Sequence, residues 1–393
     1  MEKTILPTIL VIFGITGDLS KRKLLPAIES LWEQKKLPEK FKLVGVTRRE
    51  GVLIEGAETI KMDLSAPADY VVLKEHLENI EKEWNEPAQR LFYLSVGPTV
   101  SLPIIEQLDA SGLSKVVNTK LLLEKPFGTD QENGEMLIHN IGNAFVSEQV
   151  YRIDHYLAKD SVRALAKQHI EKEGLNRVEV IATESLTIEG RADFYEQTGA
   201  LRDLVQSHLL EVLATVLSDL PNETAPAPGL PSYGADVRLK VLKQLSVPID
   251  PSASSGQGNV TNYVRRGQYE GYRKDAGNAD STVETFVSVL LRSSDTALAG
   301  IAIELKTGKA LDKKRTEVRL FYGDDTKKAT QVISLDGGNN AYEHVFLDAM
   351  IGDKTFFVSE DEVMEDWRIV TPIIESWKLY SVDLFFYEVG ADM

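Results

Sequence analysis

Thr8-Ile9-Leu10-Val11-Ile12-Phe13-Gly14-Ile15-Thr16-Gly17 is the stretch on which the fold turns. Its first six residues form a nearly continuous apolar run, as a parallel strand buried on both faces requires. A glycine turn follows, then a helical stretch to about residue 36. Gly14 allows a tight turn, and Gly17 lets the backbone approach a pyrophosphate. The helix start adds free amides and a positive dipole end. Thr16 offers a hydroxyl donor. Two glycines at this spacing also serve in a plain tight turn, so the surrounding pattern decides.

Working outward, residues 42–47, 59–62, 91–96 and 120–123 read as further strands. Residues 69–84, with Val72, Leu73, Leu77 and Ile80 at helical spacing, and 99–108 read as helices. Strand–helix alternation predicts a doubly wound parallel sheet of Rossmann type over residues 1–150. Right-handed crossovers place its ligand at the carboxyl ends of the strands. Past residue 150 the pattern changes. Residues 177–187, 282–292, 297–306, 317–322 and 330–335 are strand-like, with one long helix over 201–220. This predicts an α+β domain over 151–393 with a large, mostly antiparallel sheet, carrying substrate and subunit contacts. A Pro-rich loop is expected over 222–233 and a mobile Ser/Gly-rich one over 251–259.

Composition narrows the partners. A chain of 393 residues suggests two domains. Its net charge of −16 repels nucleic acid and anionic membranes, so neither is an expected partner. A local lysine cluster still suits an anionic substrate. With no cysteine there is no disulfide, no thiolate nucleophile and no cysteine-ligated zinc. That accords with a reducing cytoplasm, the expected compartment. The apolar residues 6–13 read as a buried strand and not a signal sequence, because a glycine turn follows them at once. No stretch reaches the roughly 20 apolar residues that span a bilayer.

The second strand ends Val46-Thr47-Arg48-Arg49. Selection of NAD usually places Asp or Glu here, and selection of NADP places Arg. A guanidinium fits a phosphate in charge and in fork geometry, so Arg48 and Arg49 point to NADP. A solvated surface pair is the alternative for them.

Several segments resemble the glucose-6-phosphate dehydrogenase family. They are Gly14-Ile15-Thr16-Gly17-Asp18-Leu19-Ser20-Lys21-Arg22-Lys23, Glu124-Lys125-Pro126-Phe127-Gly128, and Tyr151-Arg152-Ile153-Asp154-His155-Tyr156-Leu157-Ala158-Lys159-Asp160. Gly199-Ala200-Leu201-Arg202-Asp203-Leu204-Val205-Gln206-Ser207-His208-Leu209-Leu210 and Thr307-Gly308-Lys309-Ala310-Leu311 complete the set. Ala158, Asp160 and Ser207 depart from the usual Gly, Glu and Asn. The chain is shorter than the family pattern after Arg49, where a helix is lost, and after Tyr322.

The resemblance implies oxidation of glucose 6-phosphate at C1, with hydride transfer to NADP. It implies that Gly14, Thr16, Gly17, Asp18, Leu19 and Lys23 bind the cofactor together with Arg48, Arg49 and Lys125. It makes His208 the general base and Asp154 the acceptor of its other ring N–H, a pairing that fixes the tautomer. It gives His155, Tyr156 and Lys159 to the substrate phosphate. Glu184, Asp203 and Lys125 go to the sugar, Lys309 and Lys314 approach the substrate from the second domain's sheet, and Pro126 is the family's cis proline. Asp203 and His208, five apart on a helix, do not stack there but border one cleft. The remaining histidines, His76, His139, His169 and His344, are read as surface or structural.

Hydride transfer needs no metal, and the sequence shows no metal-binding motif. A homodimer or homotetramer is the expected assembly. Glu-Lys-Pro also occurs in the glucose-fructose oxidoreductase family, so a dehydrogenase of another sugar or sugar phosphate is one alternative. A non-catalytic NADP-binding sensor is the other; Asp154 and His208 speak against it, since a sensor needs no base.

Overall fold

The computed structural model describes residues 5–188, 190–218, 233–249, 260–323, 328–338, 340–379 and 384–393. The strands run β1 (Thr8–Phe13), β2 (Phe41–Thr47), β3 (Ala57–Lys61), β4 (Gln89–Leu94), β5 (Thr119–Glu124), β6 (Val150–Ile153) and β7 (Leu175–Thr183). They continue as β8 (Leu245–Ser246), β9 (Val264–Tyr269), β10 (Phe286–Ser293), β11 (Ala302–Gly308), β12 (Arg315–Tyr322), β13 (Gln331–Ser334), β14 (Phe357–Val358) and β15 (Leu384–Tyr387).

The first sheet has the order β14-β6-β5-β4-β1-β2-β3. Its first six strands are parallel, and β14 adds an antiparallel edge. All six residues of β1 are buried. Ile9, Val11 and Phe13 enter one core and Leu10 and Ile12 another, which is why the run lacks polar alternation. The strand order reverses between β1 and β4, the switch point where such sheets hold their ligands. Residues 48–56, between β2 and β3, contain no helix, as the shortened pattern there implied.

The second sheet, β13-β12-β7-β11-β10-β9-β15, is mostly antiparallel; β7–β11 and β9–β15 pair in parallel. One core spans both sheets: Val11 and Phe92 share it with Val178, Leu305 and the helix from Leu201 to Leu217. The expected helix over 201–220 is therefore present, but its first nine residues, Leu201–Leu209, are π-helical. Strand 297–306 starts later than the pattern suggests, at Ala302, after a 3₁₀ turn over Thr296–Leu298.

The first sheet extends past residue 150 through β6 and gains β14 from late in the chain. Helix Ala341–Ile351 also packs there: Tyr342, Val345, Phe346 and Met350 share a core with Leu10, Ile12 and Tyr93. The loops expected over 222–233 and 251–259 lie outside the described residues, apart from Tyr233, which opens helix Tyr233–Gln244. Among the described residues no helix is long and apolar enough to cross a membrane.

Candidate active site

The glycine turn follows β1 at the switch point. Gly14 has φ +82°, and a Cβ there would lie 2.4 Å from the Ser95 carbonyl oxygen. Only glycine fits. Gly14 and Ile15 donate their N–H to the Val46 carbonyl, which ties the turn to the end of β2. Ser20 is buried and donates to the Gly14 carbonyl at 3.0 Å; its Oγ also meets Ser95 Oγ. Thr16, Gly17 and Leu19 are half-buried around the helix start, and Asp18 and Lys23 are exposed. Asp18 pairs with Arg22 at 2.7 Å. Arg48 and Arg49 are exposed just beyond β2, beside this turn. A glycine cradle at the switch point, a helix start and two guanidiniums at the next strand end fit a dinucleotide with an extra phosphate.

The chemistry-bearing residues meet where β5 and β6 end. Lys125 follows β5 across a cis bond to Pro126. Asp154 follows β6 and is buried. Its Oδ1 meets His208 Nδ1 at 2.7 Å and accepts the Tyr156 N–H at 2.8 Å; its Oδ2 accepts from Lys125 Nζ at 2.8 Å. Burial alone would raise the Asp154 carboxyl, but His208 and Lys125 outweigh it and hold the group well below the usual carboxylate range. Burial lowers the His208 imidazole, with Asp154 opposing. His208 is thus neutral near pH 7. With Nδ1 tied to Asp154, Nε2 remains for a substrate proton.

The π-helical turn matters here. In i→i+5 bonding Asp203 and His208 stand one turn apart on one face, so the two align despite their separation of five. Both line a cleft of about 230 Å³ with Lys125, Pro126, His155 and Arg202. Burial raises the Asp203 carboxyl, with Lys309 opposing.

On the other side lies a small cavity bounded by Tyr156, Glu184, Lys309, Lys314 and Thr316. Lys309 donates to Glu184 at 2.5 Å. Tyr156 stacks on His208, with ring centroids 4.5 Å apart, and Lys159 Nζ lies 3.9 Å from the Tyr156 ring centroid. His155 packs edge-on against both rings, and burial with the neighbouring His208 takes its imidazole down to about 3. Burial also lowers Lys159, with Asp336 opposing and Lys314 adding to the fall. Lys314 is exposed and lines this cavity.

All eight residues assigned to substrate by sequence therefore line these two cavities or, for Lys159, adjoin them. The sequence reading missed Ser20 and Ser95 behind the turn, Thr316 and Asp336 near the lysines, and Glu124. Glu124 lines the cleft, accepts from the Tyr93 hydroxyl, and is pushed up to about 7 by burial. Its place directly before Lys125 was the available signal. Folding also groups Asp154, His155 and His208, with ligand atoms within 4.8 Å. Both Asp154 oxygens there are already engaged by His208, Tyr156 and Lys125.

A base held by a carboxylate at the carboxyl edge of a Rossmann sheet, beside a glycine cradle, defines a nicotinamide-dependent dehydrogenase. Residues 11–55 and 51–164 match the description "Glucose-6-phosphate dehydrogenase, NAD binding domain", and residues 163–336 and 328–392 match "Glucose-6-phosphate dehydrogenase, C-terminal domain". The chain belongs to the glucose-6-phosphate dehydrogenase family. It is 30% identical to the glucose-6-phosphate 1-dehydrogenase of Bacillus subtilis (strain 168), over 98% of this chain and 94% of that one. It is 27% identical to "Glucose-6-phosphate 1-dehydrogenase 6, cytoplasmic" of Arabidopsis thaliana, over 97% and 88%. The Bacillus alignment runs over 472 positions against 393 residues here, so the relative is the longer chain. Among solved structures, the Mycobacterium avium glucose-6-phosphate 1-dehydrogenase superposes with a TM-score of 0.79 at 25% identity, covering 98% of this chain and 95% of that one. A glucose-6-phosphate dehydrogenase in complex with glucose 6-phosphate shares the fold, with a TM-score of 0.84 at 23% identity, covering 100% and 96%.

Proposed function

We propose that the protein oxidises glucose 6-phosphate at C1 to 6-phosphogluconolactone with NADP as acceptor, the entry step of the oxidative pentose phosphate pathway. The observation that carries this reading is the Asp154–His208 contact of 2.7 Å between the cofactor cradle and a lysine-flanked cavity. His208 Nε2 takes the C1 hydroxyl proton. Asp154 fixes the tautomer and stabilises the imidazolium that forms. NADP, when bound, supplies the hydride acceptor. Lys159, Lys314, His155 and Tyr156 hold the phosphate, and Glu184, Asp203 and Lys309 orient the sugar hydroxyls. A spectrophotometric assay of NADPH formation over a panel of sugar phosphates tests the reading. Turnover of glucose 6-phosphate well above its isomers supports it; equal or absent turnover rejects it.

Arg48 and Arg49 assign the cofactor. Arg48→Ala is expected to weaken NADP and leave NAD nearly unchanged, because the guanidinium meets only the extra phosphate. Equal loss for both cofactors in KM measurements would remove that role. Lys159→Ala is expected to raise KM for glucose 6-phosphate far more than KM for free glucose, since a dianion needs a cation. Equal losses on both sugars would move Lys159 out of the phosphate site.

The assembly is proposed to be a homodimer or homotetramer built through the second domain. Exposed Val332 on β13 and Phe386 on β15, the two edges of its sheet, support this. Sedimentation velocity decides between these states and a monomer. The compartment is proposed to be the cytoplasm, in line with the lack of cysteine.

A further inference from the structure

The π-helix Leu201–Leu209 carries Asp203 and the base His208, and it starts on Ala200, whose side chain cannot cap it. A helix leaves its first N–H groups without an internal partner, and Ala200 and Leu201 are too deeply buried for water to serve them. One residue, just ahead of β10, takes both groups. Ala200 donates its N–H to the Glu284 carbonyl at 3.0 Å, and Leu201 donates its own to Glu284 Oε1 at 2.9 Å. Glu284 is itself buried. Gly199 makes room for it. Its φ of +62° and ψ of −178° belong to a region open only to glycine, and a Cβ there would collide with the Glu284 carboxyl. The chain thus kinks at Gly199 and starts the base helix with its amides on Glu284.

The next residue holds the opposite wall of the site. Thr285 accepts the Lys309 N–H on its carbonyl at 2.9 Å. Thr285 Oγ1 accepts the Tyr269 N–H at 2.9 Å and lies 2.7 Å from the Tyr387 hydroxyl, which donates to the Lys309 carbonyl at 2.8 Å. Lys309 is therefore held at both ends of its backbone. The π-helix also packs on β7 and β11, the strands that lead into Glu184 and Lys309. Two consecutive residues, Glu284 and Thr285, fix the start of the helix with Asp203 and His208 and the place of Lys309.

We propose that Glu284 is a positioning residue: its side-chain oxygen sets the register of the π-helix, and through it the contact of His208 with Asp154. The proposal rests on the reading of His208 as the base. Glu284 lines neither cavity of the site, so its effect on the reaction passes through the helix. Burial raises its carboxyl, with the Leu201 N–H and the charges of Arg202 and Arg266 opposing. Protonation does not remove the contact, since a carboxyl oxygen accepts the N–H in either form. The helix needs the reach of this side chain and not its charge.

Three substitutions separate reach from charge. Glu284→Gln keeps the oxygen and drops the charge. Glu284→Asp keeps the charge and withdraws the oxygen by one methylene. Glu284→Ala removes both. Glu284→Ala and Glu284→Asp are expected to lower kcat on glucose 6-phosphate by about tenfold or more, since about 1 Å of misplacement at a reacting centre costs about 10²-fold. KM for NADP is expected to stay in place, because the glycine turn lies on the first sheet. Glu284→Gln is expected to recover most of the lost kcat. NMR of the enzyme carrying ¹⁵N-labelled histidine, without substrate, reads the helix directly. The His208 imidazole, identified by its loss in His208→Asn, is expected to hold its proton on Nδ1 in the wild type and in Glu284→Gln. In Glu284→Asp and Glu284→Ala it is expected to shift towards the Nε2–H form. Wild-type kcat in Glu284→Asp, a Glu284→Gln enzyme no better than Glu284→Ala, or a His208 signal unmoved in Glu284→Asp overturns the proposal. If Glu284→Ala does not fold, the wild type sets the reference and the other two variants decide. The histidine spectra need no substrate, so failure of the proposal is told apart from failure of the glucose 6-phosphate assignment.

Discussion

Replacing His208 by Asn is expected to lower kcat by about 10²-fold or more, with KM for sugar phosphate and NADP little changed. In the proposed site, binding rests on other groups, among them Lys159, Lys309 and the turn at Gly14. Asn keeps a polar group near Asp154 but takes no proton. Asp154→Asn is expected to lower kcat less, by losing the acceptor at 2.7 Å that fixes the tautomer. The double variant should be little worse than His208→Asn, because residues acting as a unit are not additive. The sign of the pH dependence follows from burial. Activity needs neutral His208, whose pKa is lowered. The acid limb of kcat/KM should therefore fall below the ordinary imidazole value of about 6.5. In Asp154→Asn it should move to still lower pH, because the carboxylate that opposes the shift is gone. Near-normal kcat in His208→Asn would end the base assignment.

Lys125→Met is expected to lower kcat/KM by at least about 10²-fold, the cost of about 1 Å of misplacement at a reacting centre. Lys125 donates to Asp154 Oδ2 at 2.8 Å with its side chain only 12% exposed. Without it, Oδ2 loses its donor and the carboxylate is left to His208 and the Tyr156 N–H at Oδ1. The ammonium is also one of the charges that lower the imidazole. Its removal should thus shift the acid limb to higher pH, opposite to the shift in Asp154→Asn. A pH–rate profile of the two variants separates these effects from simple loss of fold. An acid limb that stays in place in Lys125→Met would show that the lysine acts on substrate alone.

The parallel sheet was legible because β1 is buried on both faces and its residues say so one by one. Gly14 was legible as a turn residue, and the turn's contact with Val46 places Arg48 beside it. Other features left no local mark. A two-residue strand such as β14 has no period to detect. Asp203 and His208 looked half a step out of register because helical spacing was taken as 3.6 residues. No residue type in the segment marks π-helical bonding off from ordinary α-helical bonding. Glu211 and Glu362 carry no local sign of their burial against Arg238.

Helix Ala341–Ile351 and β14 give the nucleotide half of the molecule a late dependence on chain synthesis. Lys120, at the start of β5, donates to the Ala349 and Met350 carbonyls, and β14 pairs with β6. A ribosome that has released only the first half of the chain has delivered Leu10, Ile12 and Tyr93, with Ile28 and Leu31 on them, but not Tyr342, Val345, Phe346 and Met350, which complete the same core. Until residue 358 emerges, part of that apolar face remains open to water and to chaperones. Such distant pairings slow folding and expose sticky surface on the way. The nucleotide half is therefore not a detachable module: a fragment cut at its boundary in sequence carries an unfinished core.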